Sequence, residues 1–269
     1  MTLYEQIQGT RVDMTTDRCR TLYLELLKRS LLGLTYEDPS DRAPATVQGT
    51  AQRERHNPEL RAIGKDWPAV APTMIGAARL NNVQQCIERV LADDVPGDLI
   101  ETGVWRGGTV IFMRGLLKAY DVTDRTIWAA DSFKGLPPPD EAKYPQDRGL
   151  HLEHFKELAI SVDEVRRNFE RYELLDDQVR FLEGWFKDTL PQAPITRLAV
   201  MRLDGDLYES TMDALTNLYD RLSPGGFVII DDHSIAACRQ AVEDFRRSRG
   251  ITDEIVQIDW TGVYWRRTR

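Results

Sequence analysis

Short apolar segments alternate with helix-like segments from Asp98 onwards. Five runs rich in β-branched and apolar residues are separated by stretches with helical periodicity. The runs are DLIETG at 98, TIWAAD at 126, VRFLEG at 179, LAVMRLD at 198 and GFVIIDD at 226. Because parallel strands need a long crossover between them, this alternation predicts an α/β fold with a parallel sheet. Ligands of such folds bind at the carboxyl ends of the strands.

The C-terminal segment departs from this alternation. EIVQID and GVYWRR are separated only by Trp260 and Thr261, a connection too short for a parallel return. They predict an antiparallel hairpin, so the sheet is expected to have seven strands, most of them parallel. A glycine pair, Gly225 and Gly226, is expected to end the helix that precedes the fifth run.

Two amphipathic helices are predicted before the core, at about residues 16–34 and 73–97. Between them, residues 36–68 are rich in proline, glycine and charge, which indicates a loop or mobile arm. The apolar positions expected to face the core are Leu22, Leu26, Leu27 and Leu31 in the first helix and Leu80, Val83, Ile87, Val90 and Leu91 in the second.

A long irregular insertion follows the second run, at about residues 137–160. Insertions at this edge of an α/β sheet are typical of lids over a binding site. The whole chain, 1–269, is therefore predicted to be a single domain. In it, a helical N-terminal extension with a mobile arm (1–97) precedes an α/β core (98–269) that carries the lid.

Charge, hydropathy and cysteine content limit the classes of binding partner and the cellular compartment that we expect for the protein. A net charge of −8 disfavours nucleic acid and anionic membranes as partners. The chain has no run of about 18 apolar residues and no apolar signal segment at its start, so we expect a soluble protein that is not exported. Its three cysteines are far apart and have no metal-ligand spacing, which fits a reducing cytoplasm.

The first run leads into a glycine-rich turn, ETGVWRGG, that opens a helix. The strict G-x-G-x-x-G pattern is absent, so a nucleoside without a pyrophosphate is favoured over a dinucleotide. Asp131, at the end of the second run, is placed to accept hydrogen bonds from ribose hydroxyls, and Glu101 to hold a cationic amino group. The alternative is structural: Glu101 caps the helix and Asp131 begins a turn.

Carboxylates follow two further runs, with Asp204 and Asp206 after the fourth and Asp231 and Asp232 after the fifth. Residues two apart on an extended chain project to the same side, and these two strands are neighbours in common doubly wound orders. The four acids are therefore expected to converge. Two like charges about 4 Å apart repel by roughly 4 kcal/mol at an effective dielectric constant of about 20, which favours protonation or a bound cation.

An all-oxygen ligand set favours a hard cation, with Mg²⁺ ahead of Ca²⁺ or Mn²⁺. The alternative is again structural, because acids after strands commonly cap helices, and Asp204 to Asp206 also fits a turn. His233, which follows the second pair, is a candidate base or metal ligand, although a lone histidine there more commonly faces solvent. Trp185, after the third run, is placed to line a base pocket, although most tryptophans pack in the core.

Longer segments resemble the macrocin-type O-methyltransferases of the tylosin, mycinamicin and novobiocin pathways. The matching segments run in order through nearly the whole chain after about Leu22, and they include PTMIGAARLNN, VPGDLIETGVWRGG, FLEGWFKDTLP, MRLDGDLYESTMDAL and LSPGGFVIIDD. The resemblance implies a Rossmann-like class I methyltransferase fold, S-adenosylmethionine as methyl donor, a divalent metal that is usually Mg²⁺, and a homo-oligomer.

The resemblance also implies roles for individual residues. The general base would be Asp206, and the metal ligands would be Asp204, Asp231 and Asp232. The cofactor site would comprise Glu101, Gly103, Asp131 and Ser132, with Thr73, Met74, Gly184 and Trp185 as neighbours.

The expected function is therefore Mg²⁺-dependent methylation of a deoxysugar hydroxyl. The acceptor would be an antibiotic-type natural product or its nucleotide-sugar precursor. The alternatives are a nucleotide-cofactor oxidoreductase, a non-catalytic binding protein with the methyltransferase fold and, more narrowly, a catechol O-methyltransferase.

Overall fold

The computed structural model describes the backbone of residues 3–41 and 53–269, so part of the predicted arm lies outside the described residues. Before the core, the elements are α1 (Leu3–Leu31), a short antiparallel pair of β1 (Ser40–Asp41) and β2 (Arg53–Glu54), α2 (Pro58–Ala62) and α3 (Gly76–Ala92). The predicted mobility of the arm stays a prediction.

The core begins at Asp98 and alternates strands with helices. Its elements are β3 (Asp98–Thr102), α4 (Gly108–Ala119), β4 (Ile127–Asp131), α5 (Val162–Arg171), β5 (Val179–Glu183), α6 (Phe186–Thr189), β6 (Leu198–Leu203), α7 (Tyr208–Leu218), β7 (Leu222–Ile230), α8 (Ala236–Arg249), β8 (Val256–Gln257) and β9 (Val263–Arg266). Among the described residues, no helix is both long and apolar enough to cross a membrane.

The main sheet has seven strands in the order β5-β4-β3-β6-β7-β9-β8. The five strands from β5 to β7 are parallel, whereas β9 runs antiparallel to β7 and to β8. This confirms the predicted mostly parallel sheet with its C-terminal hairpin. The strand order changes direction at β3, which has β4 on one side and β6 on the other, so the ligand crevice is expected between β3 and β6.

The prediction that the glycine pair ends a helix is wrong. Helix α7 ends at Leu218, and Gly225 and Gly226 lie within β7. A Cβ atom on Gly226 would stand 2.6 Å from the carbonyl oxygen of Ala199 in β6. The glycine is therefore needed for the close approach of two strands rather than for a helix cap.

The core packs on both faces of the sheet. One hydrophobic cluster joins one face to α1, α3, α4 and α5, and the other joins the opposite face to α7 and α8. The stripe predicted for the second helix is confirmed, because Leu80, Val83, Ile87 and Val90 are fully buried in α3 and Leu91 is half-buried. Helices on both faces shield the parallel strands from water, as this class of sheet requires.

The stripe predicted for the first helix is only half correct. Leu27 and Leu31 are buried, but Leu22 and Leu26 are 61% and 60% exposed, and Leu24 is buried instead. The face that joins the core cluster is formed by Leu24, Leu27 and Leu31, which lie at helical positions i, i+3 and i+7. Helix α1 therefore packs on the core with one face and leaves a second apolar face open to solvent.

Candidate active site

A cavity of about 650 Å³ opens at the carboxyl ends of the parallel strands, within the usual range for small-ligand sites. Of the twelve predicted site residues, eleven line it: Thr73, Met74, Glu101, Gly103, Asp131, Ser132, Trp185, Asp204, Asp206, Asp231 and Asp232. Gly184 precedes Trp185 without lining the cavity, and His233 does not line it either. The topology thus gathers residues that are up to 159 positions apart in the sequence into one site.

The floor of the cavity is organised by Arg202, a buried arginine in β6. Glu101 of β3 is its direct cross-strand partner, and a guanidinium nitrogen lies 2.5 Å from the Glu101 carboxylate. The same nitrogen lies 2.9 Å from a carboxylate oxygen of Asp204. A second guanidinium nitrogen donates to Asp231, at the end of β7. One cation therefore connects the ends of three adjacent strands.

Asp231 is also held by a second arginine. Arg79 of α3 donates to the other carboxylate oxygen of Asp231, and its Nε lies 3.0 Å from Asp259. Both oxygens of Asp231 are therefore engaged by guanidinium groups. This arrangement separates Asp231 from its neighbour in sequence, Asp232.

Three of the four predicted acids converge on one point. Carboxylate oxygens of Asp204, Asp206 and Asp232 lie within 4.8 Å of one another. Burial and the nearby Asp204 charge raise the pKa of Asp206 to about 8, and burial and the Asp206 charge hold the pKa of Asp232 well above its usual range. The pKa of Asp204 is raised by burial and by Asp231. The trio therefore binds protons, or any cation, more readily than isolated carboxylates do.

The turn after β6 fixes the direction of Asp206. Its backbone has a φ of +56°, a left-handed conformation that costs about 1 kcal/mol or more in a non-glycine residue. The Asp206 amide donates to Asp232 at 3.1 Å, which compensates part of that cost. Strain in this region is typical of functional sites.

Gly103 lets β3 and β6 meet at this floor. Its φ is +86°, and a Cβ atom there would stand only 1.7 Å from the carbonyl oxygen of Asp204. The glycine predicted to approach a ligand therefore first permits the approach of the neighbouring strand. In this way Glu101 and Asp204 come within reach of the same guanidinium.

Asp131 holds the turns on both sides of the crevice. One carboxylate oxygen accepts the amide of Val104 at 2.7 Å, and the other accepts the amide of Phe133 at 2.7 Å. The adjacent Ser132 hydroxyl donates to the carbonyl of Gly135 at 2.6 Å. Burial raises the pKa of Asp131, and the two amides oppose that shift. Asp131 can therefore hold these turns and still bind a ribose, because a carboxylate has about four acceptor sites and the two amides occupy only two of them.

The chemistry of these residues fits a nucleoside cofactor that carries an amino group. Burial raises the pKa of Glu101 to about 8, against the opposing effect of Arg202, and its second carboxylate oxygen is buried without a hydrogen-bond partner. A buried acceptor without a partner costs about 1–3 kcal/mol, so a cationic donor from a ligand is favoured there. Remaining acceptor capacity on Asp131 fits ribose hydroxyls.

The chemistry of the acid trio fits a hard divalent cation. All three residues offer oxygen donors, which Mg²⁺ and similar ions prefer. Burial, and after it the charges of the neighbouring carboxylates, raise their pKa values, and a bound cation would favour their ionised forms. The family-derived ligand set named Asp231 in place of Asp206. The structure groups Asp206 with the trio, whereas Asp231 faces the two arginines.

The walls of the cavity come from the arm and the lid. Trp67 of the arm makes an edge contact with Phe155 of the lid, with ring centroids 5.6 Å apart. The indole nitrogen of Trp105 donates to the carbonyl of Glu157 at 2.9 Å. Leu152 and Leu158 of the lid line the cavity itself. Arm and lid thus contact each other, and both contribute residues to the cavity lining. That they close over the acceptor stays a prediction.

Sequence reasoning missed Arg202 and Arg79. The signal for Arg202 was a lone charge inside the apolar run LAVMRLD, where a buried strand accepts an arginine only with acidic partners. Arg79 carried no comparable signal, since a charged residue in an amphipathic helix is ordinary. Its role depends on where α3 packs.

The sequence was also compared with known proteins. It matches the family model described as Macrocin-O-methyltransferase (TylF) over residues 20–267. It is 57% identical over 254 residues to the 8-demethyl-8-(2,3-dimethoxy-α-L-rhamnosyl)-tetracenomycin-C 4′-O-methyltransferase of Streptomyces olivaceus, covering 94% of this chain and 95% of that protein. It is 56% identical over 250 residues to the mycinamicin III 3″-O-methyltransferase of Micromonospora griseorubida, covering 92% and 96% respectively.

The fold comparison agrees with the sequence comparison. The solved structure of the O-methyltransferase NovP matches with a TM-score of 0.87 and 54% identity, covering 93% of this chain and 100% of that chain. The class I methyltransferase fold implied by the resemblance is confirmed, and an oxidoreductase or a non-catalytic protein is no longer the best account of the cavity. The chain belongs to the macrocin O-methyltransferase family, and it is an O-methyltransferase that uses S-adenosylmethionine.

Proposed function

We propose that this enzyme methylates a hydroxyl of a deoxysugar already attached to an antibiotic-type natural product, with the help of Mg²⁺ or a similar cation. The observation that carries the proposal is the convergence of Asp204, Asp206 and Asp232 beside a cofactor-sized cavity. The names of the relatives support the acceptor class: one specifies the 4′-oxygen of a rhamnosylated tetracenomycin, the other the 3″-oxygen of mycinamicin III.

The cavity charge supports a neutral glycoside over a nucleotide-sugar. Among the residues that the structure describes, nine acidic ones line the cavity, against three basic ones, and one of the basic ones is Arg79, already bound to Asp231. A diphosphate would add negative charge to this surface, which is unfavourable at short range. Trp67, Leu152 and Leu158 supply apolar walls that suit an uncharged aglycone.

In the proposed mechanism, Asp206 accepts the proton of the acceptor hydroxyl as its oxygen forms a bond to the transferred methyl carbon. Its pKa of about 8 suits a general base near neutral pH. Glu101 binds the amino group of the cofactor, and Asp131 and Ser132 position its ribose. When bound, S-adenosylmethionine would supply the methyl group from its sulfonium sulfur, with S-adenosylhomocysteine as the second product.

The proposed cation ligands are Asp204, Asp231 and Asp232. When bound, the cation would withdraw electron density from the acceptor hydroxyl and lower its pKa. Asp204 and Asp232 already share the oxygen cluster. Asp231 would have to exchange a contact with Arg79 or Arg202 to join them, whereas Asp206 would serve as a ligand without that exchange.

A methyl-transfer assay tests the acceptor and the cation together. Enzyme freed of metal by EDTA is supplied with S-adenosylmethionine and with a rhamnosylated polyketide, dTDP-rhamnose or a catechol, and products are measured by mass spectrometry. We expect methylation of the rhamnoside only, restored by Mg²⁺. A preference for dTDP-rhamnose or catechol would refute the acceptor class, and full activity in EDTA would refute the cation.

We also propose that the enzyme is a homo-oligomer. The exposed face of α1 carries Leu22 and Leu26, together with Tyr23, which is 39% exposed. Burial of such a face contributes about 25 cal/mol per Å² of apolar surface, which supports a second subunit as its partner. Light scattering should show an oligomer for the wild type and a monomer for Leu26→Glu. A monomeric wild type would refute the proposed homo-oligomer.

A further inference from the structure

The lid contains one fully buried residue, and that residue is an aspartate. In residues 137–160, all of which the structure describes, Asp147 has 0% exposure, and the other buried residue is Ile160 at the end of the lid, with 9%. An isolated carboxylate is costly to bury unless it is hydrogen-bonded. The partners of Asp147 therefore indicate why the lid keeps a carboxylate inside the protein.

Those partners are the first amides of helix α7. One carboxylate oxygen of Asp147 accepts the amide of Tyr208 at 2.6 Å, and the other accepts the amide of Glu209 at 3.1 Å. Leu207, the residue at the N-cap position, has no side chain that can do this. The lid thus supplies the cap of α7 from 61 residues away, where a negative charge is favourable.

The capped helix end is close to the strained turn of the acid trio. Helix α7 begins two residues after Asp206, so the lid holds the same backbone segment that orients this carboxylate. The ring of Tyr144 in the lid also packs on Tyr208, with centroids 5.9 Å apart. Further along the lid, Leu152 and Leu158 line the cavity. The contact of Asp147 with α7 therefore connects the lid, which lines the cavity, to the turn that carries Asp206.

We propose that Asp147 is a positioning residue that fixes the lid on α7 and thereby shapes the acceptor side of the cavity. Because the cofactor residues Glu101 and Asp131 lie on β3 and β4, losing the cap should weaken acceptor binding and leave cofactor binding unchanged. The inference rests on the proposed function only for the choice of acceptor.

The test compares three variants in steady-state kinetics with the acceptor that the wild type uses. We expect Asp147→Ala to raise the acceptor KM by up to about tenfold, the value reached if the free energy of one helix cap is lost in full from acceptor binding. Asp147→Asn keeps one acceptor oxygen, so a shift of about threefold is expected. The control is Asp140→Ala, because Asp140 is an exposed lid acid whose carboxylate accepts the nearby Lys143 amide at 3.1 Å. The substitution keeps its backbone carbonyl, which accepts the amides of Lys143 and Tyr144.

Two further measurements separate positioning from simple stability. Affinity for S-adenosylhomocysteine should be unchanged in all three variants. Amide hydrogen exchange across residues 137–160 should rise most in Asp147→Ala, less in Asp147→Asn and not in Asp140→Ala. An unchanged acceptor KM in both Asp147 variants would overturn the proposal, and Asp147→Asn alone decides it if Asp147→Ala does not fold. If the proposed acceptor class is wrong, the wild-type enzyme itself will fail to methylate the glycoside. The hydrogen-exchange measurement needs no acceptor, so it tests the role of Asp147 in either case.

Discussion

The arm and the cavity each hold a cluster of charged side chains, and the two clusters differ in how well their charges are matched. In the arm, Arg61 is fully buried between Asp38 and Asp66, with N–O distances of 3.1 and 2.8 Å. At the cavity, Asp204, Asp206 and Asp232 face one another, and within the described part of the chain only Asp204 of the three contacts an arginine.

The arm cluster is complete in its hydrogen bonds. The five N–H groups of Arg61 are directed to Asp66, to both the side chain and carbonyl of Asp38, and to the carbonyls of Leu32 and Pro39. Asp38 also accepts the amides of Val70 and Ala71, at 3.0 and 2.8 Å. No ligand is required to satisfy it, so its role is structural.

The difference teaches how to distinguish the two kinds of cluster. A cluster whose opposite charges and hydrogen bonds are all paired, like that of Arg61, contributes to the fold and has no capacity left for a ligand. An unmatched cluster persists although it opposes folding, which is expected where a ligand completes it. The raised pKa values of Asp204, Asp206 and Asp232 mark the second kind.

The largest effect is expected when the cavity cluster loses one charge. Asp206→Asn should lower kcat/KM by roughly 10²–10⁴-fold because the base is lost. The free energy of unfolding should stay equal or rise, because the cost of burying this carboxylate and its repulsion with Asp204 are removed. Rates and urea unfolding measure the two quantities.

Calorimetric titration of Mg²⁺ then separates the ligands, with Asp204→Asn and Asp231→Asn expected to lose binding and Asp206→Asn to retain it. If Asp231→Asn retained Mg²⁺ binding and Asp206→Asn lost it, Asp206 would be the third ligand in place of Asp231. A full-rate Asp206→Asn would remove its role as base.

The next effect concerns the arm. Arg61→Met leaves two buried carboxylates without their cation, so the free energy of unfolding should fall by about 3–5 kcal/mol. The control is Arg114→Met, whose partner Asp176 has a side chain 40% exposed and can be hydrated, so a loss of about 1 kcal/mol or less is expected. Urea unfolding decides, and equal losses for both variants would contradict the distinction.

The smallest effect is a difference in pH dependence between an acid near another acid and an acid near an arginine. Burial and Glu209 raise the pKa of Asp213 to about 6, so its ionisation disfavours the folded state as pH rises from about 4 to 6. Hydrogen bonding from Arg114 lowers the pKa of Asp176, so its contribution is present above about pH 4 and is lost as pH falls further.

Unfolding measured from pH 3 to 7 should therefore show opposite trends. Relative to the wild type, Asp213→Asn should gain stability as pH rises through this window, and Asp176→Asn should lose it. Parallel curves for the two variants would contradict the assigned environments.

The sequence predicted the sheet and the location of the cavity because both depend on local periodicity and on where strands end. Asp204 and Asp232 were found in this way, from their positions after strands. The pairing of Asp231 with Arg79 was not predictable, since it depends on how α3 packs against the sheet. The exposed Leu22 and Leu26 were missed because periodicity identifies apolar faces without showing which of them packs on the same subunit.

The contact between Gly103 and Asp204 has a consequence for changing the enzyme's acceptor. A single added methyl group at residue 103 would push apart the two strands that form the floor, so this position leaves no room for redesign. The walls differ from the floor, because residues with large side chains, Trp67, Leu152 and Leu158, line them. Libraries that aim at new glycosides should therefore vary the arm and the lid and keep the strand ends as they are.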